Sequence, residues 1–387
     1  MKVKVIASTH PNYKASKEAF DIFGGHAAGV CYMQSDFKTL RSEDKEKTLK
    51  RVKLCKDGGH HSVFDHTSVT LYLDKIPRVI EMLLDNERYM VSSVKSGRYT
   101  LHPLPAKEQV LYDKWYARFK QLIRDEYAAK FPKFFTESRI DKLALENARY
   151  VTGMFTLVSM VHTTSYRQLN YVYGFIRDFL AKDSDNKMIK KLKPYLVKFL
   201  AQLDKTGYID EALVNNGKGR VLSVFNEYKP SEYFGDVYCA RYECSIAVFM
   251  HLNRHRTLKH HIGAPVVTGF YVPELIRDDK ELHAEWLCDL RSVKANWPQA
   301  MMVEVSEMGN LDDFILKVIE RKCSVVMLET TRVVNDLLIR YHRVLDATQH
   351  ARAADLGRFL QGSKCLAGVK CAMPCAFTDG VKETRKV

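Results

Sequence analysis

Apolar and polar positions cluster along this chain in patterns that mark its elements. Residues 2 to 7, at the start of KVKVIAS, read as a buried opening strand. TSVTLYLD, from Thr67 to Asp74, alternates β-branched and aromatic residues with polar ones, as a second strand does. Between them SEDKEKTLKRVKLCKDGG reads as a helix, acidic at its start and closed by two glycines. Ile76 to Asn86 returns to helical spacing, with Pro77 tolerated in the first turn. AKEQVLYDKWYARFKQLIRDEYAAKF predicts a long amphipathic helix, and helical patterns cover residues 137 to 150 and 163 to 204. The first half is thus mixed α and β, weighted toward helix.

After Lys205 the pattern restarts. RVLSVFN and GDVYCARYE read as strands, and Ser245 to Leu252 as a helix. Sliding the second half back by 168 positions places Ser245 on Pro77 and Arg256 on Arg88 with no gap, so that a strand, an apolar helix and a basic residue follow one another twice. An internal duplication accounts for this. The boundary falls near residues 205 to 218, where the chain is polar and carries glycines, which divides it into residues 1–205 and 206–387. The expected fold class is α+β: two related domains, each a small and mostly antiparallel sheet packed with long helices, helix-rich overall.

Composition narrows the function. Hydrophobic residues at 46% and charged residues at 27% describe an ordinary globular chain, long enough to bury one large core or two medium ones. No run approaches a membrane helix and MKVKVIASTHPNY lacks a secretory apolar block, so a cytoplasmic protein is expected. The nine cysteines include no C-x-x-C pair, and Cys365, Cys371 and Cys375 have spacings unlike zinc modules. His251 and His255 lie four apart, and His60, His61 and His66 lie close together, but no carboxylate follows at H-E-x-x-H spacing; no metal is expected. The net charge of +14 favours anionic partners: nucleotides, polyanionic cofactors or nucleic acid.

Three short stretches carry candidate chemistry. Ser96, Gly97 and Arg98 offer a hydroxyl, a backbone that can be approached closely and a forked cation, a set suited to a nucleotide phosphate. Arg254, His255 and Arg256 put two cations and a ring just past a helix, which suits a pyrophosphate or a flat, electron-rich ligand. The plain structural reading makes Arg254 and Arg256 part of a solvated basic surface with Lys259, His260 and His261. By the same standard His66 is a core histidine.

Taken together these stretches resemble the flavin-dependent thymidylate synthase family, whose members carry G-H-x-[ST]-x-x-E-H, a strand, a helix, R-H-R and then S-x-R-Y. Gly59, His60, Ser62, Asp65 and His66 match the opening, with aspartate in place of the usual glutamate, and Ser96, Gly97, Arg98 and Tyr99 match the closing loop. Asn86, Glu87 and Arg88 stand where the triplet belongs, and Arg254, His255 and Arg256 restore it in the second half, where Ala264, Pro265 and Val266 replace the closing loop. ENARYV around Arg149 and TTSYRQLN around Arg167 are similar to later family segments, as is GFYVP in the second half; there Arg321, Arg332 and Arg340 compete for the late-helix roles.

The resemblance implies methylation of a pyrimidine deoxynucleotide, dUMP to dTMP, with FAD as cofactor and with NADPH and methylenetetrahydrofolate as co-substrates. It assigns His66, Ser96 and Arg98 to catalysis. Ser96, Gly97, Arg98, Tyr99, Arg149 and Arg332 would hold the nucleotide, and His60, Ser62, His66, Arg167, Arg254, His255, Arg256 and Arg321 the cofactor. A homodimer acting as a pseudo-tetramer is implied, with the nucleotide loop kept in one half and the triplet in the other. A pyrimidine nucleotide hydroxymethylase, or a non-catalytic descendant that binds nucleotide or nucleic acid, fits the same residues.

Overall fold

The structure is a computed structural model that describes residues 1–9, 17–97, 100, 102–215, 222–225, 230–263, 265, 268–371 and 385–387. Two compact units interleave along the chain: Met1–Lys95 with Leu157–Ser223, and Ser96–Thr156 with Val224–Val387. The helical stretch 96–156, which precedes the expected boundary at 205, therefore packs within the second unit.

The first unit opens with strand β1 (Lys2–Ser8), helices α1 (Lys17–Tyr32), α2 (Phe37–Arg41) and α3 (Lys45–Asp57), strand β2 (Ser68–Pro77), helix α4 (Arg78–Asn86) and strand β3 (Met90–Val94). The chain then contributes α5 (Ala106–Ile123) and α6 (Glu137–Ala148) to the second unit, and returns to the first with β4 (Leu157–Ser165), α7 (Tyr166–Ala181), α8 (Lys187–Asp204) and α9 (Glu211–Val214). The rest of the second unit is β5 (Tyr233–Phe234), β6 (Val237–Ser245), α10 (Ile246–Leu252), β7 (Lys259–His261), α11 (Glu274–Arg277), α12 (Lys280–Ser292), β8 (Met302–Asn310), α13 (Leu311–Arg321), α14 (Leu328–Ala347) and α15 (Ala353–Gly357). The protein is α+β, helix-rich, with one four-stranded antiparallel sheet in each unit. No helix among the described residues is long and apolar enough to cross a membrane.

The two sheets have the same order. The first runs β1-β2-β4-β3 and the second β5-β6-β8-β7, with neighbouring strands antiparallel throughout. Pro77 and Ser245, 168 positions apart, are the N-caps of α4 and α10. Ser245 caps with its own hydroxyl, which accepts from the Val248 amide at 3.2 Å, whereas Pro77 has no side-chain cap and relies on its fixed φ.

Local signals placed most helices. Asp44 caps α3 by accepting from the Glu46 and Lys47 amides, and Gly58 closes it. Three expectations need correction. Residues 2 to 7 form an edge strand rather than a buried one: Lys2 and Lys4 are exposed, and charged residues on an edge discourage pairing with another chain. Residues 163–165 end β4 instead of starting a helix, because Ser165 caps α7; a second break at 182–186 precedes Asn186, which caps α8. Residues 222–225, expected within a strand, are turn; the flanking residues of RVLSVFN lie outside the described ones.

Strand β2 carries a bulge between Leu73 and Ile76, and there Lys75 takes a left-handed backbone at φ 53°. A side chain in that region costs about 1 kcal/mol that glycine avoids. Lys75→Gly is therefore expected to be neutral or to raise stability by up to about 1 kcal/mol in urea unfolding, where the same change in a regular strand would cost a similar amount. A clear loss would show that the Lys75 side chain does something the backbone does not.

Helices α5 and α12 meet in the second unit through Trp115 and Trp286, both fully buried, with ring centroids 4.8 Å apart and edge to face. The Trp115 indole donates to Asp289 at 2.8 Å, which satisfies its only polar atom. This contact explains why residues 96–156 belong to the second unit.

Candidate functional site

In the first unit the G-H-x-S-x-x-D-H stretch forms a short turn. Gly59 takes φ 76° with open space around it, a conformation that glycine adopts freely, and the chain then enters a 3-10 turn over His61–Asp65. His61 is buried. Its Nε2–H donates to the Lys56 carbonyl at 2.9 Å, so its Nδ1 accepts from the Tyr171 hydroxyl at 2.9 Å, and this tautomer leaves no ring nitrogen for a ligand. His60 bonds Tyr32 at 3.2 Å, and Ser62 and His66 are exposed.

Asp65 ties this turn to the start of α7. It accepts from the Ser165 hydroxyl at 2.6 Å and forms an ion pair with Arg167, whose guanidinium also lies over the Tyr171 ring at 5.4 Å. Ser165 meanwhile accepts from the Gln168 amide at 3.0 Å and so caps α7. Two stretches that the sequence placed 100 residues apart are thus one hydrogen-bonded unit, and the aspartate side chain is long enough to make it.

His66 lines a cavity of about 440 Å³ together with Phe20, Phe23, His26, Arg41 and Thr67. The Thr67 hydroxyl is buried, and among the described residues it has no hydrogen-bond partner. His26 is buried as well; desolvation holds its ring below the usual histidine range and keeps it neutral. None of His26, Arg41 and Thr67 stood out in the sequence. The only signal was a histidine on the glycine-rich face of α1, which by itself reads as packing.

Where the first half lacks the triplet, its replacements serve the fold. Asn86 donates to the Ser223 hydroxyl at 2.7 Å, and Glu87 accepts from the Ser223 amide at 2.7 Å. Both residues are buried.

The remaining candidates sit in the second unit. Arg254 is half-buried and Arg256 exposed just past α10, but His255 is buried and accepts at Nε2 from Arg321 Nε at 2.8 Å. Burial, with Arg321 and Lys317 nearby, pushes its pKa down to about 2, so the ring is neutral and anchors Arg321. Arg149 donates to the Ala247 carbonyl at 3.1 Å and contacts Met327 Sδ at 3.3 Å. Next to it Tyr150 donates to the buried Glu329 at 2.6 Å, and Glu329 also accepts from the Ser245 amide and hydroxyl at 2.8 and 2.7 Å. The Tyr150 ring lies 4.9 Å from Tyr271, over which Arg277 sits; Arg277 and Arg332 both pair with Glu274. The structure thus gathers Arg149 and Arg332 around two tyrosines, and Arg321 with His255. Arg340 pairs with Glu232. Ser96 accepts at its carbonyl from Thr100, and Arg98 and Tyr99 lie outside the described residues, as do Ala264, Val266 and Cys375.

Comparison with known proteins gives these positions a context. Residues 24–182 match the family described as thymidylate synthase complementing protein. No curated protein matches the chain. Among solved structures, a UMP/dUMP methylase, PolB from Streptomyces cacaoi bound with 5-Br dUMP, is 15% identical, with 56% of this chain and 93% of that chain covered and a TM-score of 0.37. A flavin dependent thymidylate synthase, ThyX from Helicobacter pylori complexed with FAD and dUMP, is 15% identical, with 53% and 99% covered and a TM-score of 0.30. The matched stretch contains His26, Asp65, His66, Ser96, Arg98, Arg149 and Arg167 and ends before the second sheet. Over residues 24–182 the chain belongs to the thymidylate synthase complementing protein family, which the motif resemblance led one to expect.

Proposed function

We propose that the protein methylates a pyrimidine deoxynucleotide monophosphate, dUMP to dTMP, as a flavoprotein. The family match over residues 24–182 carries this reading, because it spans both stretches that Asp65 joins to Ser165 and Arg167. Bound flavin supplies hydride transfer, which no side chain can perform. NADPH and methylenetetrahydrofolate are the proposed sources of hydride and carbon.

The residues fit a flat, polar-edged cofactor. The cavity beside His66 has a volume in the range of small-molecule sites, phenylalanine walls, and in Thr67 a buried hydroxyl still in need of a partner. Arg254 and Arg256 supply cations for a pyrophosphate, with Arg321 held in place by His255. Ser96, Gly97 and Arg98 are the proposed phosphate loop for the nucleotide, and Arg149 and Arg332 its further cations. Arginine suits this work because it stays charged and its fork matches phosphate oxygens. The chain supplies positioning and electrostatics, and acts as a homodimer in which each chain holds two related copies of one domain; the shared strand order of the two sheets supports the duplication.

The test is the absorption spectrum of purified protein supplied with FAD, followed by dTMP formation from dUMP with NADPH and methylenetetrahydrofolate. A flavin band retained through gel filtration and turnover of dUMP are expected. Absence of FAD binding by calorimetry at excess cofactor would overturn the reading. A colourless protein that binds DNA with steep salt dependence would point to a nucleic-acid-binding descendant instead.

A further inference from the structure

We infer that the first-unit cavity is a site for a phosphorylated planar ring, in which the Thr67 hydroxyl bonds the ring edge and Arg41 takes the phosphate. The inference deepens the flavoprotein reading and rests on it, but its residues lie outside every motif that suggested that reading.

The cavity is graded from a buried end to an open one. Thr67 and His26 are buried, whereas His66, Arg41 and Phe23 are exposed. Thr67 Oγ1 lines the buried end with no partner among the described residues, and a buried hydroxyl left in that state costs stability that a ligand's carbonyl or N–H would recover. His26 adds a neutral ring with one donor and one acceptor, again matched to a heterocycle edge rather than to a free ion. Phe20 and Phe23 provide apolar walls on α1. Such a lining suits a flat aromatic body.

The open end carries charge. Arg41 ends α2, is exposed, and is the only arginine lining the cavity among the described residues. A guanidinium at the mouth of an apolar cleft with neutral polar groups at its floor selects a ligand that is aromatic at one end and anionic at the other. Flavin mononucleotide, and the matching half of FAD, have this shape and charge; free phosphate has no ring to fill the cleft.

Riboflavin, FMN and FAD distinguish these contributions when titrated into the full chain by fluorescence quenching. FMN is expected to bind about ten- to a hundredfold more tightly than riboflavin, the range of a charge-assisted bond. Arg41→Ala should erase that ratio while leaving riboflavin affinity unchanged. Thr67→Val should weaken FMN and riboflavin alike by roughly three- to tenfold, and Thr67→Ser should restore both. Circular dichroism of each variant checks that it is folded. An unchanged FMN to riboflavin ratio in Arg41→Ala, or unchanged affinities in Thr67→Val, would overturn the assignment. Should FAD still bind in both variants as in the wild type, the flavoprotein reading stands and only this placement fails. If no flavin binds the wild-type chain, both fail together.

Discussion

Lys317→Met is expected to destabilise the second unit by about 3–5 kcal/mol at neutral pH, with a smaller loss as the pH falls. Lys317 on α13 forms an ion pair with Glu307 on β8, and both side chains are fully buried. Glu307 also accepts from the Tyr238 and Tyr242 hydroxyls on β6 at 2.5 and 2.9 Å and bonds His260 on β7 at 3.1 Å. Burial alone would push its carboxyl up, but Lys317 and His260 outweigh that and hold it well below the usual range. A depressed folded-state pKa contributes stability above the unfolded carboxylate value, so the wild-type network holds at neutral pH and weakens only in strong acid. Without Lys317 the sign reverses: an unpaired buried carboxylate has a raised pKa, so acidification neutralises it and recovers part of the loss. Glu307→Leu strands the lysine instead, and that variant should recover as the pH rises. Urea midpoints of the two variants between pH 5 and 9 should therefore slope in opposite directions. Parallel slopes would show that the pair is not the source of the effect.

Lys56→Met should cost the first unit a comparable amount. Lys56 on α3 bonds Asp21 on α1 at 2.7 Å and Asp210, the N-cap of α9, at 2.9 Å, with all three side chains about nine-tenths buried. Tyr166 adds a bond to Asp210 at 3.4 Å and Lys17 an ion pair at 3.6 Å. For Asp21 burial wins and its pKa is raised; for Asp210 burial also pushes upward, but the bond and charge of Lys56 prevail and its pKa is lowered. One lysine thus serves two carboxylates, and its loss leaves two buried anions, for an expected destabilisation of about 3–5 kcal/mol at neutral pH. Both carboxyls would then titrate above their unfolded values, so the deficit should shrink between pH 7 and 5. Because the Lys56 carbonyl receives the His61 bond, faster hydrogen exchange over residues 60–66 should accompany it. A loss independent of pH would reject the shared-cation account.

The first sheet shows what these networks replace. On β4, His162 occupies the position that Glu307 holds on β8: it pairs with Leu71 and Ser92 as Glu307 pairs with Ala240 and His260. Its neighbours on β2, Val69 and Leu73, are apolar where β6 carries Tyr238 and Tyr242. His162 is buried, and desolvation brings its pKa down to about 4, so it stays neutral without an ionic partner. One strand order thus accommodates either an apolar core or a paired charge, provided every member of the network is satisfied.

Local physics made much of the protein legible from its residues alone. Asp44 and Gly58 mark α3, Ser245 starts α10, and alternation marks β2, because caps and periodicity act within a few neighbours. The resemblance in GHHSVFDH and SGRY likewise lies in contiguous stretches, and it placed the family over residues that match it. Tertiary structure decided what depends on contacts between distant residues. The pairing of Asp65 with Arg167, the burial of His255 behind Arg321, the packing of α5 on α12 and the cavity around Thr67 all join residues far apart in sequence. Burial and partners set the charge and the availability of a side chain, and neither quantity is a property of its position in the chain.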